Sequence, residues 1–159
     1  MKPLNGIKVI DLTHMLAGPY AGMVIADLGA EVVKIEPLVT GEMTRGLLKT
    51  DPNYSYKAFG AYFLTLNRNK KSVSLDLKSQ EGLQVFYELV KSADVVLNNF
   101  SAGVVKKLKV DFASLKKINP RIITCSITGF GETGPHSSRP AYDQIVQAYS
   151  GGLSLIHIS

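Results

Sequence analysis

Short apolar segments rich in β-branched residues alternate with helical patterns along most of the chain. Five of these segments have turn or capping residues at their ends, which is typical of buried strands. They are residues 8–12, 31–35, 72–76, 94–98 and 122–127. Strands that alternate with helices pair in parallel and are joined by right-handed helical crossovers. The sequence therefore predicts an α/β fold built on a doubly wound parallel sheet.

The helical patterns between these strands carry start and stop signals. Residues 19–28 precede Gly29, which stands where a glycine commonly ends a helix. Ser79 precedes a stretch whose apolar residues fall on one face, so it is a candidate N-cap. Two shorter helical patterns follow, at residues 104–108 and 111–118.

Ligands of doubly wound sheets bind beyond the carboxyl ends of the strands. The candidate binding segments are therefore those that follow predicted strands: residues 13–19, 36–45, 98–103 and 128–143. Residues 37–61 show no regular pattern and are long for a connection. We expect this region to be functional, or to contain a small helix that the pattern does not locate.

Composition excludes several classes of protein. The chain has 159 residues, of which 45% are hydrophobic and 19% charged, as in a globular domain, and its length alone suggests one domain. No apolar run is long enough to span a membrane. Residues 1–6 lead into a segment that Lys8 and Asp11 interrupt, unlike a signal peptide. We therefore expect a cytoplasmic protein that does not act on membranes.

The cysteine, histidine and charge content narrows the ligand class. Cys125 is the only cysteine, which excludes an intrachain disulfide and fits a reducing compartment. His14, His136 and His157 lack metal-ligand spacing, so no metal is expected. The net charge of +5 would suit an anionic partner, but no nucleic-acid-binding motif occurs. The prediction is a small ligand that carries phosphate.

Three segments carry candidate binding signals. Residues 129–134 match the G-x-G-x-x-G pattern, but Pro140 would interrupt the helix that such a loop opens, so we interpret them as a flexible loop that can cover a ligand. Residues 67–72 with Lys78 offer cations to a phosphate or form a solvated edge. Residues 98–103 offer amides and an aromatic ring to a purine or form a simple strand-end turn.

A series of motifs in a fixed order points further. The segments are residues 3–12, 16–20, 27–36, 41–45, 67–72, 99–103 and 129–135, followed by the pair Tyr142–Asp143. Together they resemble the class III CoA-transferases, a family that includes formyl-CoA:oxalate and carnitine CoA-transferases and α-methylacyl-CoA racemase. The resemblance covers residues 3 to about 152. It leaves residues 153–159 as a non-family or truncated tail.

The resemblance implies a fold, a ligand and an assembly. The fold would be the N-terminal part of a Rossmann-like large domain, a mostly parallel sheet with helices on both faces that binds coenzyme A or acyl-CoA. In the family, two chains interlock into a homodimer. The implied CoA contacts are Leu16, Ala17, Pro37, Lys71, Leu75, Asp76, Leu77, Lys78, Asn99, Phe100, Ser101, Lys107, Pro140, Ala141, Tyr142 and Asp143.

Three of these positions differ from the formyl-CoA relatives. Pro37 and Lys107 each replace an arginine, although Lys107 can still meet a phosphate as a point charge. Leu16 replaces a glutamine that touches the acyl group. A preference for formyl-CoA is therefore not expected.

The resemblance also implies a mechanism. The transferases move CoA from an acyl-CoA to a carboxylic acid through a covalent intermediate on an aspartate, which divides one difficult transfer into easier steps. That aspartate would lie beyond Ser159, so this chain is expected to lack it and to be inactive alone, with Asp143 as a second candidate.

The racemases of the family instead use a histidine and an aspartate as acid and base. Tyr142 stands in place of their histidine, and a tyrosine with an ordinary pKa of about 10 is a poor base at neutral pH. A CoA-transferase is therefore the favoured interpretation. A racemase fragment and a non-catalytic nucleotide-binding module are the alternatives.

Overall fold

A computed structural model describes residues 1–152, which form a five-stranded sheet and a separate hairpin. The strands are β1 (Lys8–Asp11), β2 (Glu31–Glu36), β3 (Ser55–Tyr56), β4 (Phe59–Gly60), β5 (Lys70–Ser74), β6 (Val95–Asn98) and β7 (Ile123–Ser126). The sheet has the order β5-β2-β1-β6-β7, and each neighbouring pair is parallel. Strands β3 and β4 pair antiparallel. The predicted α/β fold and its parallel sheet are confirmed.

The helices are α1 (Ala17–Asp27), α2 (Ala61–Leu66), α3 (Gln80–Lys91), α4 (Val104–Lys107), α5 (Phe112–Lys116) and α6 (Asp143–Tyr149), and a turn of 3-10 helix spans Met43–Arg45. The Ser79 hydroxyl accepts the Gly82 amide proton at 2.9 Å, which caps α3. Gly29 follows α1 with φ +106°, a conformation that glycine adopts without steric cost. Both predicted helix boundaries are confirmed.

The helices cover both faces of the sheet. Successive residues of a strand face opposite sides, and in β1 Val9 belongs to a buried cluster with Ala26 of α1. Its neighbour Ile10 belongs to a second cluster with Phe86 of α3 and Leu115 of α5. Phe86 and Leu115 are fully buried, and each contributes roughly 2 kcal/mol of hydrophobic stabilisation. This alternation places α1 on one face and α3 and α5 on the other.

Strand β5 begins two residues earlier than predicted. The sequence predicts a strand over residues 72–76, whereas Lys70 and Lys71 already pair with Val32 and Val33 of β2. Lys71 is exposed because β5 is an edge strand with one side open to solvent, whereas the side chain of Lys70 is buried and pairs with Asp11. The predicted start was too late because two consecutive lysines are not typical of a buried strand.

Two helices were not predicted. Helix α2 is only six residues long, and three of them, Tyr62, Phe63 and Thr65, are aromatic or β-branched residues of modest helix propensity. It lies at the end of the irregular region, and the guanidinium of Arg45 packs over its Phe63 ring at 3.8 Å from the ring centroid. Helix α6 follows the glycine-rich segment. The predicted tail, residues 153–159, lies outside the described residues.

No helix within residues 1–152 is long and apolar enough to cross a membrane. Within the same residues, no three His, Cys, Asp or Glu side chains are grouped closely enough to hold a metal ion.

Candidate functional site

A cleft of about 390 Å³ opens where the carboxyl ends of β1, β2, β5 and β6 meet. Each strand end contributes to its walls because parallel strands present their carboxyl ends at one edge of the sheet. The lining residues are Leu12, His14, Ile35, Glu36, Pro37, Leu38, Leu75, Asp76, Leu77, Lys78, Phe100 and Leu108. The cleft lies where the sheet topology predicts a ligand.

Six of the sixteen predicted contact residues line this cleft: Pro37, Leu75, Asp76, Leu77, Lys78 and Phe100. The backbone amide of Leu75 donates to the Glu36 carbonyl at 2.9 Å, which extends the β2–β5 pairing up to the cleft. The Asp76 carboxylate accepts the Lys78 amide proton at 2.9 Å and turns the chain there. The exposed Lys78 brings a positive charge to the opening.

Two rings from different strands form one wall of the cleft. His14 follows β1 and Phe100 follows β6, and their ring centroids lie 5.7 Å apart at 46°. Burial, and then the charge of Lys34, hold the pKa of His14 below its ordinary value of 6.5. The imidazole is therefore neutral at pH 7. Two flat faces beside a lysine can accept an aromatic ring that carries anionic groups.

Two other predicted residues, Leu16 and Ala17, lie outside the cleft. They line a shallow apolar depression of about 430 Å³ together with Tyr20, Tyr62, Thr65 and Leu66. Leu16 and Ala17 follow His14 by two and three residues, so the depression adjoins the loop that carries His14. Sequence reasoning did not identify the contribution of α2 to this surface.

Three of the remaining predicted residues lie near the cleft or beside it. Asn99 points toward the loop after β1, where its side chain amide bonds the backbone of His14. Ser101 and Lys107 are exposed, and each is next in sequence to a residue that lines the cleft, Phe100 or Leu108.

Lys71 lies apart from the cleft. Its Nζ is 2.6 Å from a carboxylate oxygen of Glu31 at the solvent-exposed edge of the sheet. The pairing draws this lysine toward the amino-terminal end of β2.

The last predicted contacts, residues 140–143, belong to the segment after β7. Tyr142 is 73% exposed, and Asp143 begins α6, where its carboxylate accepts a hydrogen bond from Gln147 Nε2 at 2.6 Å. A Cβ atom on Gly129 would meet the Ala141 side chain at 1.9 Å, so the glycine permits this close approach. The G-x-G-x-x-G match is followed by turns as far as residue 142, so no helix opens at Gly134.

A buried charge cluster that sequence reasoning missed lies beneath the strand-end loop. Asp11 is completely buried, and its carboxylate lies 2.9 Å from Lys70 Nζ and 3.8 Å from Lys34 Nζ. Lys34 Nζ donates to the Thr13 carbonyl at 2.7 Å, and Lys70 Nζ also donates to the Pro19 carbonyl at 2.8 Å. Burial lowers the pKa of Lys70, and the charge of Asp11 opposes that shift.

A second buried carboxylate, Glu36, closes the end of β2. The guanidinium of Arg45 binds it through two nitrogens, at 2.6 and 2.7 Å, and the Ser72 hydroxyl donates to it at 2.6 Å. Burial by itself would raise the pKa of Glu36, but the hydrogen bonds from Arg45, Ser72 and the Glu42 amide outweigh it and lower the pKa to about 2. Glu36 is therefore ionised throughout the physiological range.

The sequence held one signal for these clusters. Asp11, Lys34 and Glu36 are charged residues inside or at the end of runs that were predicted to be buried strands. Because buried charges require partners, the pattern implied that the strand ends would share ion pairs. Their partners come from residues 42–45 and 70, which the sequence does not place beside them.

The sequence of the chain matches the family model described as CoA-transferase family III over residues 4–157. The chain is 44% identical over 158 residues to the succinate–glutarate CoA-transferase of Agrobacterium fabrum, covering 96% of this chain and 39% of that protein. It is 40% identical to the formyl-CoA:oxalate CoA-transferase of Afipia carboxidovorans, covering 96% of this chain and 35% of that protein.

Solved structures give the same result. The structure of a CAIB/BAIF family protein from Brucella suis superposes with a TM-score of 0.86 at 42% identity, covering 94% of this chain and 39% of that one. The chain thus spans about two fifths of the length of the relatives that it matches.

Proposed function

The chain belongs to CoA-transferase family III, as its motifs indicated, and we propose that it forms the CoA-binding part of an enzyme that moves CoA from an acyl-CoA to a carboxylic acid. The observation that carries the proposal is the cleft at the carboxyl ends of the strands, with two rings on one wall and Lys78 at its opening. Coenzyme A combines an adenine ring with several phosphate charges. Its nucleotide end therefore matches both features of the cleft.

The proposed binding mode assigns a task to each wall. The adenine lies against the rings of His14 and Phe100, which stack on it without adding charge because the imidazole is neutral. The phosphates lie toward Lys78, and the net charge of +5 favours the approach of such an anion. The pantetheine arm then extends toward Leu16 and Ala17, beside the apolar depression.

We propose that chemistry in the whole enzyme depends on an aspartate that this chain does not contain. The carboxylate would attack the thioester carbonyl, forming a mixed anhydride and releasing CoA thiolate. The thiolate would attack the aspartyl carbonyl of that anhydride, which forms an enzyme–CoA thioester and releases the donor acid as its carboxylate. The acceptor carboxylate would then displace the thiolate to form a second anhydride, and attack of the thiolate on the acceptor carbonyl would give the new acyl-CoA and free the aspartate. Asp143 is a poor candidate because its carboxylate is exposed and bonded to Gln147 one turn along α6. The 159-residue chain is then expected to bind CoA without turnover.

Tyr142 supports a transferase over a racemase. Its side chain is largely exposed, and a phenol in this setting is a poor base for removing a proton from carbon. The named relatives with 44% and 40% identity are transferases, which supports the same choice.

Calorimetric titration of the protein with CoA tests the binding part of the proposal. We expect saturable binding that weakens about tenfold in Lys78→Met, since one charge-assisted contact to a phosphate is lost. Lys49→Met is the matched control because Lys49 is exposed and lies outside the cleft. Equal losses in both variants, or no binding of CoA by the parent protein, would contradict the assignment.

Steady-state kinetics test the reaction in a full-length protein, one that includes this chain and is as long as its relatives. Covalent transfer predicts ping-pong kinetics, and hydroxylamine should trap the acyl-enzyme when no acceptor is present. Strictly sequential kinetics without a trapped species would refute the covalent route. Exchange of the α-proton of an acyl-CoA with deuterated water in the absence of an acceptor acid would instead support a racemase.

A further inference from the structure

Residues 13–15, between β1 and α1, form a loop whose backbone is bonded by Asp11, two residues earlier, and by side chains from distant parts of the chain. The Thr13 amide donates to the Asp11 carboxylate at 2.8 Å, and the Thr13 carbonyl accepts from Lys34 Nζ at 2.7 Å. The next two residues of the loop are held in the same way, by Asn99 and Glu42. Backbone groups in a strand-end loop more often bond to water or to their own turn.

Asn99 makes the most complete of these contacts. Its Oδ1 accepts the His14 amide proton at 2.8 Å, and its Nδ2 donates to the His14 carbonyl at 2.8 Å. The side chain amide thus bonds both polar groups of one residue, as a neighbouring strand would. Since Asn99 follows β6 and His14 follows β1, this pair ties together two strand ends 85 residues apart in sequence.

The following residue is held in an unfavourable conformation. Met15 has φ +66°, in the left-handed region that residues other than glycine, asparagine and aspartate rarely occupy. The Met15 amide donates to Glu42 Oε1 at 2.8 Å, and Glu42 is itself buried and bonded to the Thr44 amide at 3.1 Å. Contacts from two other segments therefore stabilise a loop shape that its own sequence does not favour.

The position of Asn99 also sets the ring pair of the cleft. Phe100 is the next residue in the chain, and its ring lies 5.7 Å from the His14 ring. The two bonds of Asn99 therefore join the backbone segments that carry these rings. In these bonds the Asn99 side chain uses one acceptor site and one donor proton, and both point at the His14 backbone. The resemblance assigns Asn99 to ligand contact, whereas these bonds indicate a different task.

We propose that Asn99 is a positioning residue, which clamps the His14 peptide so that the His14 and Phe100 rings are already in place before a ligand enters the cleft. The effect on CoA binding rests on the proposed CoA site, whereas the bonds between Asn99 and the His14 peptide are a property of the free protein. A loop that is ordered in advance loses less entropy on binding, and so binds more tightly.

Amide hydrogen exchange of the free protein, measured by NMR, tests the clamp directly. In Asn99→Ala we expect the His14 and Met15 amides to exchange about tenfold faster, the factor that corresponds to a hydrogen bond of ordinary net strength. Asn119→Ala is the matched control. The Asn119 side chain also bonds two carbonyls, those of Val90 and Ala93, but far from the loop, so this variant should leave His14 and Met15 unchanged.

Phe100→Leu separates positioning from contact. It removes a ring from the cleft and leaves Asn99 intact, so the loop amides should keep their protection while CoA binding weakens. Asn99→Asp retains the acceptor for the His14 amide and loses the donor to the His14 carbonyl. Its loop exchange should therefore fall between those of the parent protein and Asn99→Ala.

Two results would overturn the proposal. If Asn99→Ala weakens CoA binding while the loop amides keep their protection, Asn99 contacts the ligand directly. If Asn99→Ala and Asn119→Ala raise exchange equally across the sheet, both asparagines act only on global stability. A failure of every variant and of the parent protein to bind CoA would instead refute the proposed CoA site, and the exchange data would still decide whether the clamp exists.

Discussion

Replacing Glu36 by glutamine should lower the free energy of unfolding by an amount that depends on pH. Glu36 is 1% exposed, and its two carboxylate oxygens accept from Arg45 and Ser72. The pKa of this carboxyl falls from 4.5 to about 2 in the folded protein. At about 1.36 kcal/mol per pKa unit, that difference corresponds to roughly 3 kcal/mol of stability.

The sign of the effect follows from linkage between protonation and folding. A carboxyl with a lowered pKa in the folded state stabilises the protein fully above its unfolded pKa, near 4.5, and loses that contribution as the pH falls through about 2. Glutamine cannot ionise. The difference in unfolding free energy between the parent protein and Glu36→Gln should therefore shrink by roughly 3 kcal/mol between pH 6 and pH 2.

Urea unfolding followed by circular dichroism at several pH values measures this difference. Glu31→Gln is the matched control because Glu31 begins the same strand and pairs with Lys71 at the exposed edge, where an ion pair contributes little. Titrating groups common to both proteins cancel in the comparison. A gap between the parent protein and Glu36→Gln that stays constant from pH 6 to pH 2 would refute the assigned role of the Arg45 pair.

Two further substitutions test the buried cluster around Asp11. In Asp11→Asn, two buried lysines lose their carboxylate, so chemical unfolding should show a loss of about 3 to 5 kcal/mol at pH 7. Part of that loss should be recovered toward pH 10, since a lysine whose pKa is lowered by folding makes the folded state more stable as the pH rises; a deficit that grows with pH would contradict the pairing. In Gly22→Ala, the added Cβ would meet the Asp11 carboxylate at 2.7 Å, so thermal unfolding should show destabilisation although alanine favours helices. A raised melting temperature would show that the Asp11 cluster shifts to accommodate the methyl group without loss of stability.

Much of the fold was predictable because local patterns and global topology agree. Four of the five main strands contain at least two β-branched residues, and Ser79 and Gly29 mark helix ends by their own chemistry. The start of β5 was predicted two residues too late because two lysines are not typical of a buried strand. Only the pairing with β2 shows that they belong to it. Helix α2 was missed because it is only six residues long and half of its residues have modest helix propensity, and in the structure Arg45 packs over its Phe63 ring.

The candidate site was predictable in location more than in detail. The rule that ligands bind at the carboxyl ends of parallel strands led to the cleft, and the family resemblance named Leu75 through Lys78 and Phe100 within it. The strand-end rule included His14 and Glu42 in the candidate segments 13–19 and 36–45 but did not identify their roles in the cleft wall and the loop, because these depend on side chains that meet only after folding.

The sequence by itself determined the five main strands and the helices α1, α3, α4 and α5 between them, the family, and the edge of the sheet at which a ligand would bind. These follow from periodicity and motif order, which are properties of neighbouring residues along the chain. Only the tertiary structure decided which charges are buried together and what each polar side chain bonds. Asp11 and Lys70 are 59 residues apart, and His14 and Asn99 are 85 apart. Buried charges and amides are stable only with partners at close range, and those partners exist only once the strands have paired.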